Sequence, residues 1–493
     1  MATPLLQRAF AGLRWTAGAQ LGAQAAQWCA FLVLARAVTP AGYGTIASAL
    51  LVAGGLGALA ELGLGPALLQ LPELRAGHAA AGLLAAVAVG GGLAGCVWVA
   101  APAIAAFFHQ PELGAVLQAL TWLAPVAALG VVPRALLERE LRFKALSVID
   151  TAAALLSAAV VVGAATRGWG VWAMVAGQLT AAGSTTALAW LAARPRVGTV
   201  REAAGAWREL GRVAGPVLGS RLLGFVASHL DTLLVGRLLG PAALGTYALS
   251  YKLATWPMLR VSHTVLRVAG PVLMRCRAEP GAFGRGYLRL VHGLAAVVLP
   301  MVTGLALLAP VALPGVLGES WAEAATLTQL LCLVGAAKAV VCAVGVVYLG
   351  CGRPDLELKA NAFGAVKLPV LLFLAAPWGL EGVGWAYVVS AALGAPLQQH
   401  LALRLLGVSW RAFGAALARP LVAVLALGLA AAAAQGATVG WETTPRGIAL
   451  MVAGGAAWTV VWLPSGARAW RRRATGAPTS APAEVASDVR TSA

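Results

Sequence analysis

The residues of this chain that could perform chemistry cluster in an apolar stretch from Ser220 to Arg267. Its second half carries cationic and aromatic residues at spacings of four, four, three and four, namely Lys252, Trp256, Arg260, His263 and Arg267. Such spacings place side chains on one face of an α-helix. A charge inside an apolar helix costs roughly 2.5–3.5 kcal/mol on insertion scales, so these charges are functional candidates. The pattern predicts a cationic stripe that faces a bundle interior or a wet cavity.

Arg221 and Arg260 are the candidates for direct substrate contact. Counted at about 1.5 Å per residue from the inner ends of their helices, the two lie at similar depth. Neither has an obvious acidic partner within the apolar spans. Because a guanidinium suits bidentate contact with phosphate, the pair predicts an anionic ligand. The predicted cationic lining of this cavity is completed by Lys252, His263, Lys338 and Lys367.

Asp231 and Glu61 are the candidates for ion coupling or for a structural ion pair. Asp231 lies at about the depth of Lys252, counted from the outer ends of their helices. The two could neutralise each other, or Asp231 could take up protons in a coupled cycle. Glu61 lies near the inner membrane edge. Gln24 lies in a polar face of the first span, which either lines the same cavity or forms interhelical hydrogen bonds.

The composition places the chain among membrane proteins. Of its 493 residues, 60% are hydrophobic and 11% are charged, and apolar windows of about 20 residues recur along it. The net charge of +18 does not indicate nucleic-acid binding, because Lys and Arg lie in short, mostly alternate connections, as cytoplasmic loops do. The six cysteines show no metal-ligand spacing. We therefore expect no nucleic-acid partner, metal or other cofactor.

The apolar windows predict an all-α polytopic membrane protein with about 14 transmembrane helices. They lie near 15–35, 43–60, 79–107, 113–133, 146–166, 170–193, 213–236, 243–269, 290–312, 324–349, 360–377, 382–399, 420–437 and 443–463. The Lys and Arg distribution places both the N-terminus and the C-terminus in the cytoplasm. The last residues, 465–493, have the composition of a disordered cytoplasmic tail.

A sequence repeat divides the chain into two similar halves. The connection from Arg36 to Ala47 lines up with Arg237 to Ala248 at a constant offset of 201 residues. An even number of spans separates the copies, so the halves share one topology and form a parallel, pseudo-symmetric repeat. In each copy a proline is expected to set a tight turn or a helix start. The predicted divisions are a six-helix bundle over 1–193, a cytoplasmic linker over 194–212, a second six-helix bundle over 213–399 and two extra transmembrane helices over 400–464.

The second copy of the repeat resembles a family signature. The pattern Asp231-x3-Val235-Gly236-Arg237-x2-Gly240-x3-Leu244-Gly245-x-Tyr247 is similar to that of bacterial polysaccharide-exporting flippases. These form the Wzx-type, O-antigen and colanic-acid branch of the multidrug/oligosaccharidyl-lipid/polysaccharide superfamily. Other matching pieces follow in order over about residues 10 to 410, and they are 61–67, 141–143, 170–173, 318–321, 352–354 and 384–387.

The resemblance implies a function in surface-polysaccharide export. Such a protein moves an undecaprenyl-diphosphate-linked oligosaccharide from the cytoplasmic to the outer leaflet of the bacterial cytoplasmic membrane. It does so by alternating access through a cationic lumen between two bundles, and the product is an exopolysaccharide, a capsule or an O-antigen-like polymer such as that of lipopolysaccharide. The implied partners are the lipid-linked oligosaccharide, membrane lipids, and a polysaccharide polymerase with its export machinery.

Two other functions are weighed against this one. A related exporter of the peptidoglycan lipid precursor or of small-molecule drugs is the alternative. A membrane glycosyltransferase or polymerase would need acidic catalytic residues in a sizeable extramembrane loop, and the chain has no loop long enough to form a domain. Walker A, HExxH and GxSxG motifs are also missing. We therefore expect a transporter and not an enzyme, driven by a proton or sodium gradient if it is driven by an ion at all.

Overall fold

The computed structural model of the protein describes residues 20, 22–60, 64–70, 75–195, 198–279 and 281–437. Within these ranges the side chains at 58, 60, 66, 67, 70, 204–222, 257, 278 and 435–437 are not described. Everything described is helix or short connection, and these ranges contain no strand. The chain is thus all-helical over its described part, as the sequence predicts.

The first half of the described chain contains eight α-helices and the start of a ninth. These are α1 (22–37), α2 (Pro40–Ala60), α3 (Leu64–Gln70), α4 (Ala76–Phe107), α5 (Pro111–Leu120), α6 (Leu123–Arg139), α7 (Phe143–Ala165), α8 (Val171–Ala193) and α9 (Val200–Arg275). The span predicted at 113–133 lies within one apolar helical stretch, Pro111–Arg139, which a short turn at Thr121 and Trp122 divides into α5 and α6. Thr121 turns its hydroxyl back onto the carbonyl of Gln118 at 2.6 Å, a local bond that competes with continuation of the helix.

The second half continues with six further α-helices. They are α10 (Ala282–Leu317), α11 (Glu323–Val341), α12 (Val344–Gly350), α13 (Pro354–Ala375), α14 (Gly379–Leu406) and α15 (Trp410–Ala437). The predicted span at 443–463 and the tail at 465–493 lie outside the described residues.

Eight helical stretches in the described ranges are long and apolar enough to cross a membrane. Several of these stretches combine shorter elements; Pro354–Leu406, for example, contains both α13 and α14. The chain is a multi-pass membrane protein. The number of about 14 spans and the cytoplasmic position of both termini stay predictions.

Two compact units make up the chain, residues 1–248 and residues 249–493. In the first unit α7 packs along α8, while α6 packs against both α8 and α4. In the second unit α10 packs against α11 and α15, and α14 packs against α11 and α13. The unit boundary lies inside α9. The boundaries predicted for the two bundles, at 193 and 213, stay a prediction.

The helix α9 begins inside the segment that was predicted as a linker over 194–212. Its first turn is closed by a reciprocal pair of hydrogen bonds between Thr199 and Glu202. The Thr199 amide donates to the Glu202 carboxylate at 3.0 Å, and the Glu202 amide donates to the Thr199 hydroxyl at 3.4 Å. This capping box satisfies amide groups that have no partner within the helix. A Thr-x-x-Glu spacing was therefore the signal for a helix start here.

Both copies of the repeated connection use proline at the start of a helix, but they differ in the residue before it. In the first copy α1 ends at 37 and Pro40 opens α2. In the second copy the chain stays helical, and the break is confined to Gly240, whose φ of 84° places it in the left-handed region. Glycine adopts this conformation without steric penalty, and Pro241 then restarts the helix.

The two copies of the repeat are packed against each other within the first unit. A Cβ atom added at Gly44 would overlap the carbonyl oxygen of Pro241, and one added at Gly245 would overlap the carbonyl oxygen of Pro40. The two contacts are equivalent under the offset of the repeat. An isologous contact of this kind is what a two-fold axis produces. The two copies of the repeated connection therefore meet through equivalent contacts, and the parallel topology of the two halves stays a prediction.

We predict that Gly245→Ala destabilises the protein because its Cβ has no space against Pro40. Overpacking of this kind costs about 1–3 kcal/mol, enough to outweigh the helix-propensity gain of roughly 0.5–1 kcal/mol from glycine to alanine. Gly224→Ala is the matched control, since Gly224 lies on the same helix and its Cβ would meet nothing within 4 Å. Thermal unfolding in detergent should show a lower midpoint for Gly245→Ala alone. Equal midpoints for the two variants would contradict the close contact.

Candidate functional site

The predicted cationic stripe of α9 is largely exposed on the surface of that helix. Lys252, Arg260, His263 and Arg267 are exposed, and Trp256 is half-buried. Among the described residues, the Arg260 and Arg267 side chains have no hydrogen-bond or ion-pair partner. The two guanidinium groups are therefore available to an anion.

His263 differs from the other stripe residues because it borders a cavity inside the second unit. The cavity measures about 500 Å³ and lies among α9, α11, α12, α13 and α14. Lys338 from α11 and Lys367 from α13 line the same space, as does one carboxylate, that of Glu357. The structure thus brings together three of the predicted binding residues. Arg260, Lys252 and Arg267 do not line this cavity.

The two lysines of this cavity are held by aromatic rings and a carbonyl group. Lys367 donates a hydrogen bond from Nζ to the carbonyl oxygen of Ser390 on α14 at 2.5 Å, and its Nζ lies 4.9 Å from the Phe363 ring centroid. The Nζ of Lys338 lies 5.6 Å from the ring centroid of Tyr251. Such cation–π contacts stabilise an ammonium group that is withdrawn from water. Neither lysine forms an ion pair among the described residues.

The Asp231 carboxylate is held at the centre of the second repeat copy. It is only 9% exposed, and it accepts a hydrogen bond from the Tyr247 hydroxyl at 2.7 Å and one from the Thr232 amide at 2.6 Å. Tyr247 lies on the far side of the Gly240 kink, so this bond ties the two arms of α9 together. These two hydrogen bonds fix the position of the Asp231 carboxylate within this turn.

The first repeat copy is closed by a different interaction. The positions that correspond to Asp231 and Tyr247 hold Ala30 and Ile46. The α1–α2 turn instead carries an edge-to-face contact between Phe31 and Tyr43, with ring centroids 6.2 Å apart. The buried acid is thus specific to the second copy, as the sequence indicated.

The remaining predicted site residues are Arg221, Glu61 and Gln24. The side chain of Arg221 and the whole of Glu61 lie outside the described residues. Gln24 is half-buried on α1. Asp231 and Lys252 fall in different units, and the ion pair predicted between them stays a prediction.

Sequence reasoning missed the polar neutral residues of the second-unit cavity. Asn361, Tyr387 and Gln398 line it. A signal was present on α14, where cavity-lining positions recur at 387, 391, 394 and 398. These spacings of four, three and four mark one helical face.

Two arginines near the ends of helices make local structural contacts. The guanidinium of Arg237 lies 5.3 Å from the Phe107 ring centroid, which anchors the repeated connection to the end of α4. Arg353, just before α13, makes a two-pronged contact to the Asp355 carboxylate at 2.9 and 3.0 Å. The hydrogen bonds to the Asp355 carboxylate and the negative charge of that carboxylate raise the pKa of the Arg353 guanidinium. Both arginines therefore make local structural contacts.

Comparison with known proteins gives consistent similarities over most of the chain. A protein family described as "Polysaccharide biosynthesis protein" matches residues 33–326. The teichuronic acid biosynthesis protein TuaB of Bacillus subtilis is 26% identical over 338 residues, which cover 68% of this chain and 70% of that protein. The lipopolysaccharide biosynthesis protein WzxC of Escherichia coli is 24% identical, over 83% of this chain and 84% of that protein.

Solved structures show the same fold. The lipid II flippase MurJ, in an inward closed conformation, superposes with a TM-score of 0.70 over 91% of this chain and 99% of its own, at 9% sequence identity. An inward-facing multidrug resistance transporter of the MATE family, in the MOP superfamily, superposes with a TM-score of 0.52 over 78% of this chain and 96% of its own, at 16% identity. At such identities the likeness concerns the fold alone.

We expect Tyr247→Phe to destabilise the protein, because it removes a donor from a buried carboxylate. Hydrogen bonds to charged groups contribute about 1.5–3 kcal/mol. In an Asp231→Asn background the same substitution should cost clearly less, since the acceptor is then uncharged. A double-mutant cycle by thermal or denaturant unfolding measures this coupling. Additive effects of the two substitutions would show that the bond does not hold the kink.

Proposed function

The chain belongs to the family of polysaccharide biosynthesis proteins, and from this membership we propose that it flips an undecaprenyl-diphosphate-linked oligosaccharide across the cytoplasmic membrane. The family match over residues 33–326 carries the proposal. It is supported by relatives named for teichuronic acid and lipopolysaccharide biosynthesis. The names of these proteins state a role in polysaccharide biosynthesis, and flipping of a lipid-linked substrate is the finer step proposed for this chain.

Arg260 is the residue we propose to meet the diphosphate. Its guanidinium is exposed and unpaired among the described residues, on a helix long and apolar enough to span the membrane. An uncompensated cation at such depth is costly unless an anion or water accompanies it. A diphosphate supplies planar oxygen pairs that a guanidinium binds with two parallel hydrogen bonds. Arg221 would act with it at similar depth.

The binding site then serves an alternating-access cycle. The oligosaccharide head group is too polar to cross the lipid interior unaided, so a cationic cavity that opens first to the cytoplasm and then outward lowers that barrier. Transporters built from two repeats usually hold their substrate near the middle of the membrane. The product would be handed to a polysaccharide polymerase and export machinery on the outer side.

Replacing Arg260 with alanine should lower surface-polysaccharide output by about tenfold or more, because a bidentate charged contact contributes about 1.5–3 kcal/mol. Arg221→Ala should act in the same direction. Arg404→Ala is the control, an exposed arginine in the last turn of α14. Polymer output per unit of membrane-inserted protein is the quantity to compare. Undiminished output from both Arg221→Ala and Arg260→Ala would mean that these charges are structural.

The energy source is proposed to involve Asp231. Asp231→Asn should abolish the dependence of transport on a proton or sodium gradient while substrate binding persists. Proteoliposomes in which a proton gradient or a sodium gradient is imposed separately distinguish the two ions. Gradient dependence equal to that of the unaltered protein would exclude Asp231 as the coupling group.

A further inference from the structure

The cavity of the second unit is chemically distinct from the arginine stripe on α9. Two lysines and a histidine contribute its basic groups, and no arginine lines it. Its volume of about 500 Å³ lies in the range of roughly 300–1,000 Å³ that small-molecule sites occupy. It lies wholly within residues 258–398, so it is a property of one unit.

Positive charge in this cavity exceeds negative charge. Among the described residues that line it, Glu357 alone carries a carboxylate, and that residue lies ten positions before Lys367 on the same helix. At 1.5 Å per residue the two are separated by about 15 Å along the axis, too far for an ion pair. The lysines contact a carbonyl group and aromatic rings instead. A bundle interior with two ammonium groups and no adjacent acid has an unmet requirement for an anion.

The remaining polar lining suits hydroxyl groups. Asn361 and Gln398 each offer amide donors and a carbonyl acceptor. The Tyr387 ring lies 5.9 Å from that of Tyr251, which in turn lies beside Lys338. Amides, a phenol ring and ammonium groups around one space match a ring-shaped ligand that carries several hydroxyl groups and one negative charge.

Resting on the proposed function, we infer that this cavity binds an acidic sugar of the oligosaccharide through its carboxylate, with Lys338 and Lys367 as the charged partners. The amide groups of Asn361 and Gln398 beside the lysines favour this ligand over the diphosphate, because they pair with hydroxyl groups that a sugar carries and a diphosphate lacks. The diphosphate is therefore assigned to Arg260. His263, which borders the cavity on the same helix as Arg260, lies between the two subsites. The substrate class is an oligosaccharide that contains a uronic acid or another carboxylated sugar.

A native cysteine offers a direct probe of occupancy. Cys342 lines the cavity and is half-buried, with its thiol 3.5 Å from the Ser262 hydroxyl. The purified full-length protein would be treated with a maleimide, and the labelling rate at each cysteine would be followed by mass spectrometry. Cys276, outside the cavity and similarly half-buried, is the internal control. If Cys342 proves too slow, Ala360→Cys places a reporter at a half-buried position of the same lining that contributes no polar group.

Three probes separate the possible ligands. Cellobiouronic acid carries a glucuronate, cellobiose is its neutral counterpart, and sodium diphosphate represents the lipid head group. We expect millimolar cellobiouronic acid to slow labelling of the cavity cysteine at least fivefold and to leave Cys276 unchanged. Cellobiose and diphosphate should have little effect. Lys338→Gln and Lys367→Gln should each remove the protection, whereas Lys359→Gln, an exposed lysine on α13 outside the cavity, should retain it.

Each other outcome overturns the inference. Protection by diphosphate would show that the cavity binds the lipid head group. Equal protection by cellobiose would show that the cavity does not select a negatively charged sugar. Absence of protection by any probe would mean that the cavity is not a sugar site. In that last case the proposed function is judged separately, by polymer output in the Arg260→Ala strain, which does not depend on the cavity.

Discussion

The dominant constraint on this protein is the free energy of placing charge and polar backbone in an apolar environment. The backbone requirement is met by helix alone over the described residues, since helices satisfy their own amide and carbonyl groups. The charged side chains lie in three kinds of surroundings. Asp231 accepts hydrogen bonds from its own turn, and Arg260 is exposed. Lys338 and Lys367 contact rings and a carbonyl group, which are neutral and leave their charge uncompensated. These surroundings separate structural charges from those available to a ligand.

The repeated connection shows how one local motif can serve two purposes. Both copies keep the proline and the glycine that allow their close mutual contact. Only the second copy carries a buried acid and the tyrosine that binds it. The first copy closes its turn with aromatic rings. The shared residues therefore fix the packing, and the residues that differ between the copies are free to supply function.

Much of the helical framework could be predicted from apolar length alone. The windows at 79–107, 146–166 and 170–193 agree closely with α4, α7 and α8, because their ends coincide with the ends of apolar runs. The lengths of helices with polar ends were underestimated. For example, α10 begins at Ala282, well before the start of the predicted span at 290. Its first turns carry Arg285 and Arg289, whose charges lower the hydropathy of the window although the helix continues through them.

The residues that line the candidate cavity were predicted less well. The sequence analysis placed Arg260 and His263 on one helical face, whereas only His263 borders the cavity. His263 and Arg260 differ by three positions, or about 60° around the helix, and this angle separates the cavity from the stripe.

The most direct test of the account measures lipid-linked oligosaccharide in cells that lack this protein. If it is the flippase, undecaprenyl-diphosphate-linked oligosaccharide should accumulate on the cytoplasmic leaflet, polymer should disappear from the surface, and the peptidoglycan lipid precursor should stay at its normal level. Arrival of the linked oligosaccharide at the outer leaflet at the normal rate would contradict the central claim. So would accumulation of the peptidoglycan precursor in its place.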